Sequence, residues 1–274
     1  MFRVKKVLNH NTVIGIGMDD NWEYLLIGKG IGFGRKVSER IEVPEECTVY
    51  SLHEQTQRGS AAELVKSIDP VFLEITEQIL KESEKVFGKI DWAILFPMAD
   101  HIAFAVKRIR NKEQISNPLT GDIRALFHME YKTAQRICPI LKERLDVEID
   151  EHEIGYIALH IHSAIENENV ALSMQIARTV RECIQLVEEE TGLTIDVASL
   201  SYNRLMNHVR YMAARAVKGE KLKLNMNDYM SEKFPDAFRL ASVVCGHLEK
   251  YLKKPLDEVE IGYLAMHIQR VSEE

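Results

Sequence analysis

Two stretches of this chain are near copies: DEHEIGYIALHI at residues 150–161 and DEVEIGYLAMHI at 257–268. Upstream of each lies another recurring histidine, in Asp100-His101 and Asn207-His208. His101 and His208 stand 107 residues apart, as do His160 and His267, so one ungapped register aligns residues 100–164 with 207–271. The same register pairs Arg108 with Arg215, Phe127 with Phe234, Cys138 with Cys245 and Leu141 with Leu248. A duplicated fold must bury its core twice, which accounts for the apolar matches. It does not by itself demand two titratable histidines in each copy.

At 274 residues the chain has room for two or three domains of about 100 residues each. The repeat predicts two, at 66–168 and 172–274, joined through a linker at 58–65 to a small N-terminal domain at 1–57. No apolar run approaches the ~20 residues that span a bilayer, and the N-terminus lacks the apolar core and cleavage site of a secretory signal. Cys47, Cys138, Cys183 and Cys245 are scattered without a CxxC pair, which suits reduced thiols. The expectation is a soluble cytoplasmic protein with no membrane insertion. Charge is uneven. The whole chain is net −7, yet residues 1–40 hold seven Lys and Arg against four Asp and Glu. A local basic excess on an acidic protein points to a phosphate-bearing partner, although small domains also differ in charge by chance.

Residues 1–57 read as strands: Val4, Val7, Leu8, Val13, Ile14, Ile16, Trp22 and Tyr24–Ile27 fall in short β-rich runs, with Asn9-His10-Asn11 and Met18–Asn21 as turns. Arg58-Gly59-Ser60 breaks this pattern. Both repeats read as helices. Leu64, Ile68, Val71, Phe72, Ile75, Ile79 and Leu80 keep the spacing of an amphipathic helix ended by Gly88. Further helices are predicted from near Asp91, over Met129–Leu145 and over Asp150–Ala164, the last with acidic residues complementing its dipole. The second copy repeats them over Leu205–Val217, Phe238–Leu252 and Asp257–Val271, so each copy is a bundle of four to five helices with an irregular loop near 110–126 or 217–232. Phe127, Tyr131 and Phe234 are expected in the core.

In GKGIGFG, Gly28, Gly30, Gly32 and Gly34 alternate. An extended segment would put them on one face and Lys29, Ile31, Phe33 and Arg35 on the other. A cation–aromatic–cation face suits RNA, held by stacking and phosphate attraction; a bulged hairpin edge fits the spacing as well. GxGxxG fails at Phe33 and no GxxxxGK[ST] occurs, so a nucleotide-binding loop is rejected. HExxH fails because Tyr156 occupies the second histidine position, and His160 and His162, two apart on a helix, point in different directions. No metal-ligand spacing is present, which leaves only a site assembled across helices. For the repeated histidines two readings stand. They are hydrogen-bonded structural residues, or they are phosphoacceptors, since neutral imidazole is a competent nucleophile and phosphorylation would add a large charge at a helix interface.

The three segments in this order resemble the transcriptional antiterminators of sugar operons controlled by the phosphotransferase system, the BglG/LicT/SacY type. VKKVLNHN and LLIGKGIGFGRK are similar to the small RNA-binding domain. ADHIAFAVKR with EIGYIALHIHSA, and MNHVRYMAARA with EIGYLAMHIQRV, are similar to the two regulatory domains. The resemblance covers essentially the whole chain, and the GKGIGFG and IALHIHSA wording leans toward the glucose-operon branch. It implies a multidomain fold: a small antiparallel β-sheet RNA-binding domain followed by two homologous all-α helical-bundle regulatory domains. It implies a homodimer that grips a leader mRNA hairpin overlapping a terminator, without catalysis, cofactor or metal. Lys6, Asn11, Gly28, Lys29 and Phe33 match family positions that touch RNA, with Asn9 a further candidate. His10 departs from the asparagine of many relatives, and Lys29 stands where many have arginine, a point charge in place of a fork. His101, His160, His208 and His267 match the phosphorylated histidines. The implied donors are the B component of a sugar-specific enzyme II, repressing through the first module, and the phosphocarrier protein HPr, activating through the second. Dephosphorylated first-module helices would pack across the dimer axis, and phosphates there would separate the pair. The competing class is a DNA-binding regulator with tandem phosphorylatable sensor domains, which predicts a helix-turn-helix in residues 1–57.

Overall fold

The β-rich runs at the N-terminus close into one antiparallel sheet. A computed structural model describes residues 1–53, 55–56, 59–113, 115–167, 169–195 and 199–273. Strands β1 (Phe2–Asn9), β2 (Thr12–Gly17), β3 (Glu23–Ile27), β4 (Arg40–Ile41) and β5 (Thr48–Ser51) lie in the order β4-β1-β2-β3-β5. Strand alternation turns Val4, Val13, Leu26 and Ile41 to one side, where Ile31 joins them in a small core. Asn9 pairs with Thr12 across a turn of two residues, His10-Asn11, and a register shift precedes it. No helix occurs in residues 1–53, so the helix-turn-helix required by the DNA-binding alternative is absent from these described residues.

The glycine motif is not a strand. Ile31, Phe33 and Arg35 donate their N–H groups to the carbonyls of Gly28, Gly30 and Gly32, giving successive tight turns. Gly30 (φ +73°) and Gly34 (φ +69°) take the left-handed backbone that side chains disfavour. Each such residue reverses the chain, so the alternating faces expected of an extended segment do not arise. Ile31 is buried whereas Phe33 is 70% exposed.

After β5 comes a hairpin of β6 (Gln55–Thr56) and β7 (Gly59–Ser60), then α1 (Ala61–Ser67). The linker expected at 58–65 is therefore regular structure where it is described; the boundary residues 57, 58, 168 and 274 lie outside the described residues. The single helix expected through Leu64–Leu80 is two. Asp69 accepts the Val71 N–H at 3.0 Å and Pro70 occupies the first helical position, so α2 (Pro70–Phe87) starts afresh. A 3₁₀ turn (Trp92–Ile94) leads into α3 (Leu95–Arg110). There follow α4 (Thr120–Leu126), α5 (His128–Ala134), α6 (Ile137–Leu145), α7 (Glu151–Glu166), α8 (Val170–Thr191), α9 (Leu200–Lys218), α10 (Asn227–Lys233), α11 (Pro235–Leu252) and α12 (Val259–Ser272). The stretches read as irregular loops thus contain short helices, α4 and α10, at equivalent repeat positions. Met129–Leu145, expected as one helix, is broken between α5 and α6, whereas its counterpart α11 is continuous.

Compact packing divides the chain into residues 1–117 with 129–170, and residues 118–128 with 171–274. In the first unit α2 packs on α3, α6 and α7, and α3 on α7. In the second, α12 packs on α9, α10 and α11; α4 lies against α9, and Asp122 pairs with Arg181 at 2.8 Å. Phe127 and Tyr131 are buried, as expected of core residues, while Phe234 is half-buried beside the Tyr229 ring. No helix among the described residues is long and apolar enough to cross a membrane.

Candidate nucleic-acid interface and histidine pairs

The β1–β2 turn and the glycine loop, some twenty residues apart in sequence, are stitched into one surface. The Asn11 N–H donates to Asn9 Oδ1 at 2.8 Å, and Asn11 Oδ1 accepts the Gly30 N–H at 2.9 Å. The Asn11 and His10 carbonyls accept the Gly28 and Gly32 N–H groups, each at 2.9 Å. The His10 imidazole stands edge-on to Phe33, 5.4 Å between centroids. Asn9, Asn11, Gly28, Lys29 and Phe33 are thereby brought together, with the Lys29 ammonium and the Phe33 ring exposed. Lys6 lies back along β1, also exposed. Gly28 serves packing: a Cβ there would fall 1.9 Å from Cys47 Sγ. Glycine there lets the loop pack against Cys47.

The asparagine amides are not pointed at solvent. Glu74, on α2 and 9% exposed, accepts from Asn9 Nδ2 (2.7 Å) on one oxygen and from Asn11 Nδ2 (3.2 Å) on the other. The Thr12 hydroxyl approaches the first oxygen at 3.4 Å, and Arg144 from α6 donates to the second at 2.7 Å. One turn along α2, Glu77 accepts the Tyr50 hydroxyl at 3.5 Å and pairs with Lys81 at 3.1 Å. The sheet and α2 enclose a cleft of about 390 Å³ lined by Asn11, Gly28, Lys29, Glu74, Glu77 and Arg144.

The helices bring the four repeated histidines together as two pairs. The ring centroids of His101 (α3) and His160 (α7) are 5.3 Å apart, and those of His208 (α9) and His267 (α12) are 4.6 Å apart. Tyr156 and Tyr263, again equivalent, flank them. Behind each pair is a buried ion pair that sequence reading did not assign. Arg108 donates through Nη2 (2.6 Å) and Nε (3.1 Å) to Glu153, and Arg215 grips Glu260 with a two-pronged fork at 2.6 and 2.8 Å. The Glu153 carboxylate reaches 3.1 Å from His101 Nε2, poorly aligned for a hydrogen bond, and Glu260 is 3.9 Å from His208 Nε2. Burial raises the Glu153 pKa, but His101 and Arg108 more than offset it and hold the carboxyl below its usual range. Burial, with His267 and Arg215 nearby, drives His208 down to about 3, and burial with Arg270 and Arg204 lowers His267. Both rings of the second pair are therefore neutral near pH 7. The two rings line an open depression of about 380 Å³ beside Arg204, Asn207 and Tyr211. His162 faces away to Glu130 at 2.9 Å, consistent with divergence from His160 along the helix.

Residues 2–58 match the CAT RNA binding domain family, and residues 73–164 and 181–271 each match the PRD domain family. The chain is 30% identical over 271 residues to Protein GlcT of Staphylococcus haemolyticus, covering 97% of this chain and 95% of that one. The chain belongs to the BglG-type antiterminator family. The GlcA/glcB genes antiterminator of Staphylococcus carnosus is 27% identical, with coverage of 99% of this antiterminator and 96% of that relative. A crystal structure of GlcT CAT-PRDI superposes with a TM-score of 0.51 at 31% identity, spanning 60% of this antiterminator and 98% of that chain. The resemblance and the fold class expected from sequence thus hold: an RNA-binding sheet domain followed by two helical regulatory repeats. Glu153 and Glu260 carried a signal in this antiterminator's sequence, since the ungapped register aligns them along with their arginines. Glu74 carried none, because its partners lie more than sixty residues away.

Proposed function

We propose that this antiterminator binds a hairpin in the leader transcript of a glucose-type operon through Lys6, Asn9, Asn11, Gly28, Lys29 and Phe33, as a cytoplasmic homodimer without catalytic activity. The single observation that carries this is the joining of the Asn9–Asn11 turn to the Gly28–Phe33 loop into one surface with an exposed cation and ring. Phe33 supplies a face for an unstacked base, and Lys29 a charge for phosphate. We assign residues 1–57 to the RNA-binding domain, 58–65 to the linker, and 66–168 and 172–274 to the regulatory domains.

His101, His160, His208 and His267 are the phosphoacceptors in this reading. The B component of a sugar-specific enzyme II acts on the first pair and the phosphocarrier HPr on the second. A ring nitrogen of the accepting imidazole attacks the donor's phosphorus as the bond from phosphorus to the donor breaks, and the ring gives up its N–H proton to water. Glu153 and Glu260, pinned by Arg108 and Arg215, place a negative charge 3.1 Å from His101 Nε2 and 3.9 Å from His208 Nε2. The test titrates the full chain against a panel of leader-type RNA hairpins and matched duplex DNA across salt concentrations. Phe33→Ala is expected to cost about 1–3 kcal/mol of RNA binding, and Lys29→Ala to reduce the salt slope by about one. Equal, weak binding to every nucleic acid would sink the reading.

A further inference from the structure

We propose that Glu74 is a built-in competitor for the RNA site, so that the conformation described here is a closed state in which α2 occupies the donors a transcript would use. The inference rests on the RNA-binding reading above and adds its regulation. Both side-chain amides of the Asn9–Asn11 turn donate to one carboxylate, and the Thr12 hydroxyl lies within reach of the same group. A carboxylate presents two anionic oxygens to these donors, much as a phosphate would. Arg144 donates to one of those oxygens at 2.7 Å, so the competitor is positioned in advance. Glu77, seated on the Tyr50 hydroxyl and paired with Lys81, lines the same cleft beside Gly28 and Lys29. A phosphate entering that cleft would find the amides of Asn9 and Asn11 already engaged by Glu74. RNA and α2 therefore exclude one another on Asn9 and Asn11, while Lys29 and Phe33 remain exposed for a first encounter.

The consequence is quantitative. The apparent affinity of the full chain for RNA is the intrinsic affinity scaled down by the fraction of molecules whose α2 has let go. By reciprocity, bound RNA must release Glu74. Any event that loosens α2 from the sheet then raises RNA affinity without touching an RNA contact.

The test uses the full chain and the tightest-binding hairpin of the panel. Glu74→Ala is expected to tighten binding about tenfold or more, and Glu74→Gln, which keeps the shape but loses the charge, to do so by less. Asn11→Ala should weaken binding in both the wild-type and Glu74→Ala backgrounds. A variant-free measurement covers misfolding of either substitution. Carbodiimide labelling of Glu74 in the wild-type chain should be slow alone and rise severalfold at saturating RNA. If Asn11→Ala weakens binding but the Glu74 variants bind no tighter and labelling stays slow with RNA bound, the competitor is overturned and the RNA-binding reading stands. If Asn11→Ala changes nothing in either background, the assignment of the turn to RNA fails first, and the competitor with it.

Discussion

Glu153 and Glu260 sit in the first turns of α7 and α12, where acidic side chains ordinarily stay wet and complement the helix dipole. Here both are about 1% exposed and face an arginine from the preceding module helix. A charge taken out of water is tolerable only when its partner comes too, so removing one member strands the other. Glu260→Gln leaves the Arg215 guanidinium buried without its fork. It is expected to destabilise the second unit by about 3 kcal/mol, read by chemical denaturation of the full chain. A loss of well under 1 kcal/mol would mean that Arg215 escapes to water and the fork is incidental. Sequence reading noticed Glu153 only as a dipole partner and did not single out Glu260. Their recurrence in register was visible, but recurrence alone does not separate a buried acid from a helix-start preference. The same ambiguity misled the reading of GKGIGFG, because glycine at every second position fits both a strand and successive turns. Only the backbone at Gly30 and Gly34 decides between them.

At the scale of elements, periodicity located most of the helices and missed the breaks. Apolar spacing runs smoothly through Leu64–Leu80, yet Asp69-Pro70 imposes a new start. The short helices α4 and α10 went unread because seven residues hold too little pattern. What periodicity also hides is the environment between helices, and the α9–α12 seam makes a pH prediction. His208 faces His267, Glu260 and Arg215, with Arg204 at the edge, and its pKa falls from the ordinary 6.5 to about 3. Above pH 6.5 the ring is neutral in both the folded and unfolded chain, and its contribution to stability is complete. As pH falls from there toward 3, only the unfolded chain takes the proton, so stability is lost. His267, shifted the same way, adds to the loss. The second unit is expected to lose about 1 kcal/mol through His208 between roughly pH 7.5 and 5.5. Denaturant midpoints at the two pH values measure it, and His208→Gln should flatten the dependence. An unchanged slope in that variant would show that the imidazole is not buried in the neutral form in solution.

Across the whole molecule, the two histidine pairs share one scaffold but not one electrostatic setting. The ungapped register that equates His101 with His208 also equates Asp100 with Asn207 and, carried three residues further upstream, Pro97 with Arg204. The second pair therefore opens onto a depression carrying a guanidinium and an amide, whereas the first has an acid and a proline at the matching positions. A phosphoryl group arriving at an imidazole brings negative charge, which Arg204 can meet with charge-assisted hydrogen bonds. Nothing at position 97 can do the same. The pairs should thus differ in intrinsic readiness to accept phosphate, whichever donor visits them. Arg204→Ala is expected to slow phosphorylation of His208 and His267 about tenfold, equivalent to about 1.4 kcal/mol of barrier, and to leave His101 and His160 unaffected. The measurement is the time course of phosphohistidine at each pair, resolved by peptide mapping, with the phosphorylated phosphocarrier and the phosphorylated enzyme II B component each supplied in excess. The lowered pKa of His267 comes in part from Arg204. Its removal should also raise that pKa, so a titration of the ring in the same variant shows whether the arginine was in place. Slower transfer with a shifted ring would confirm Arg204 as the phosphate partner, whereas unchanged transfer with a shifted ring would assign the difference between the modules to their donors alone.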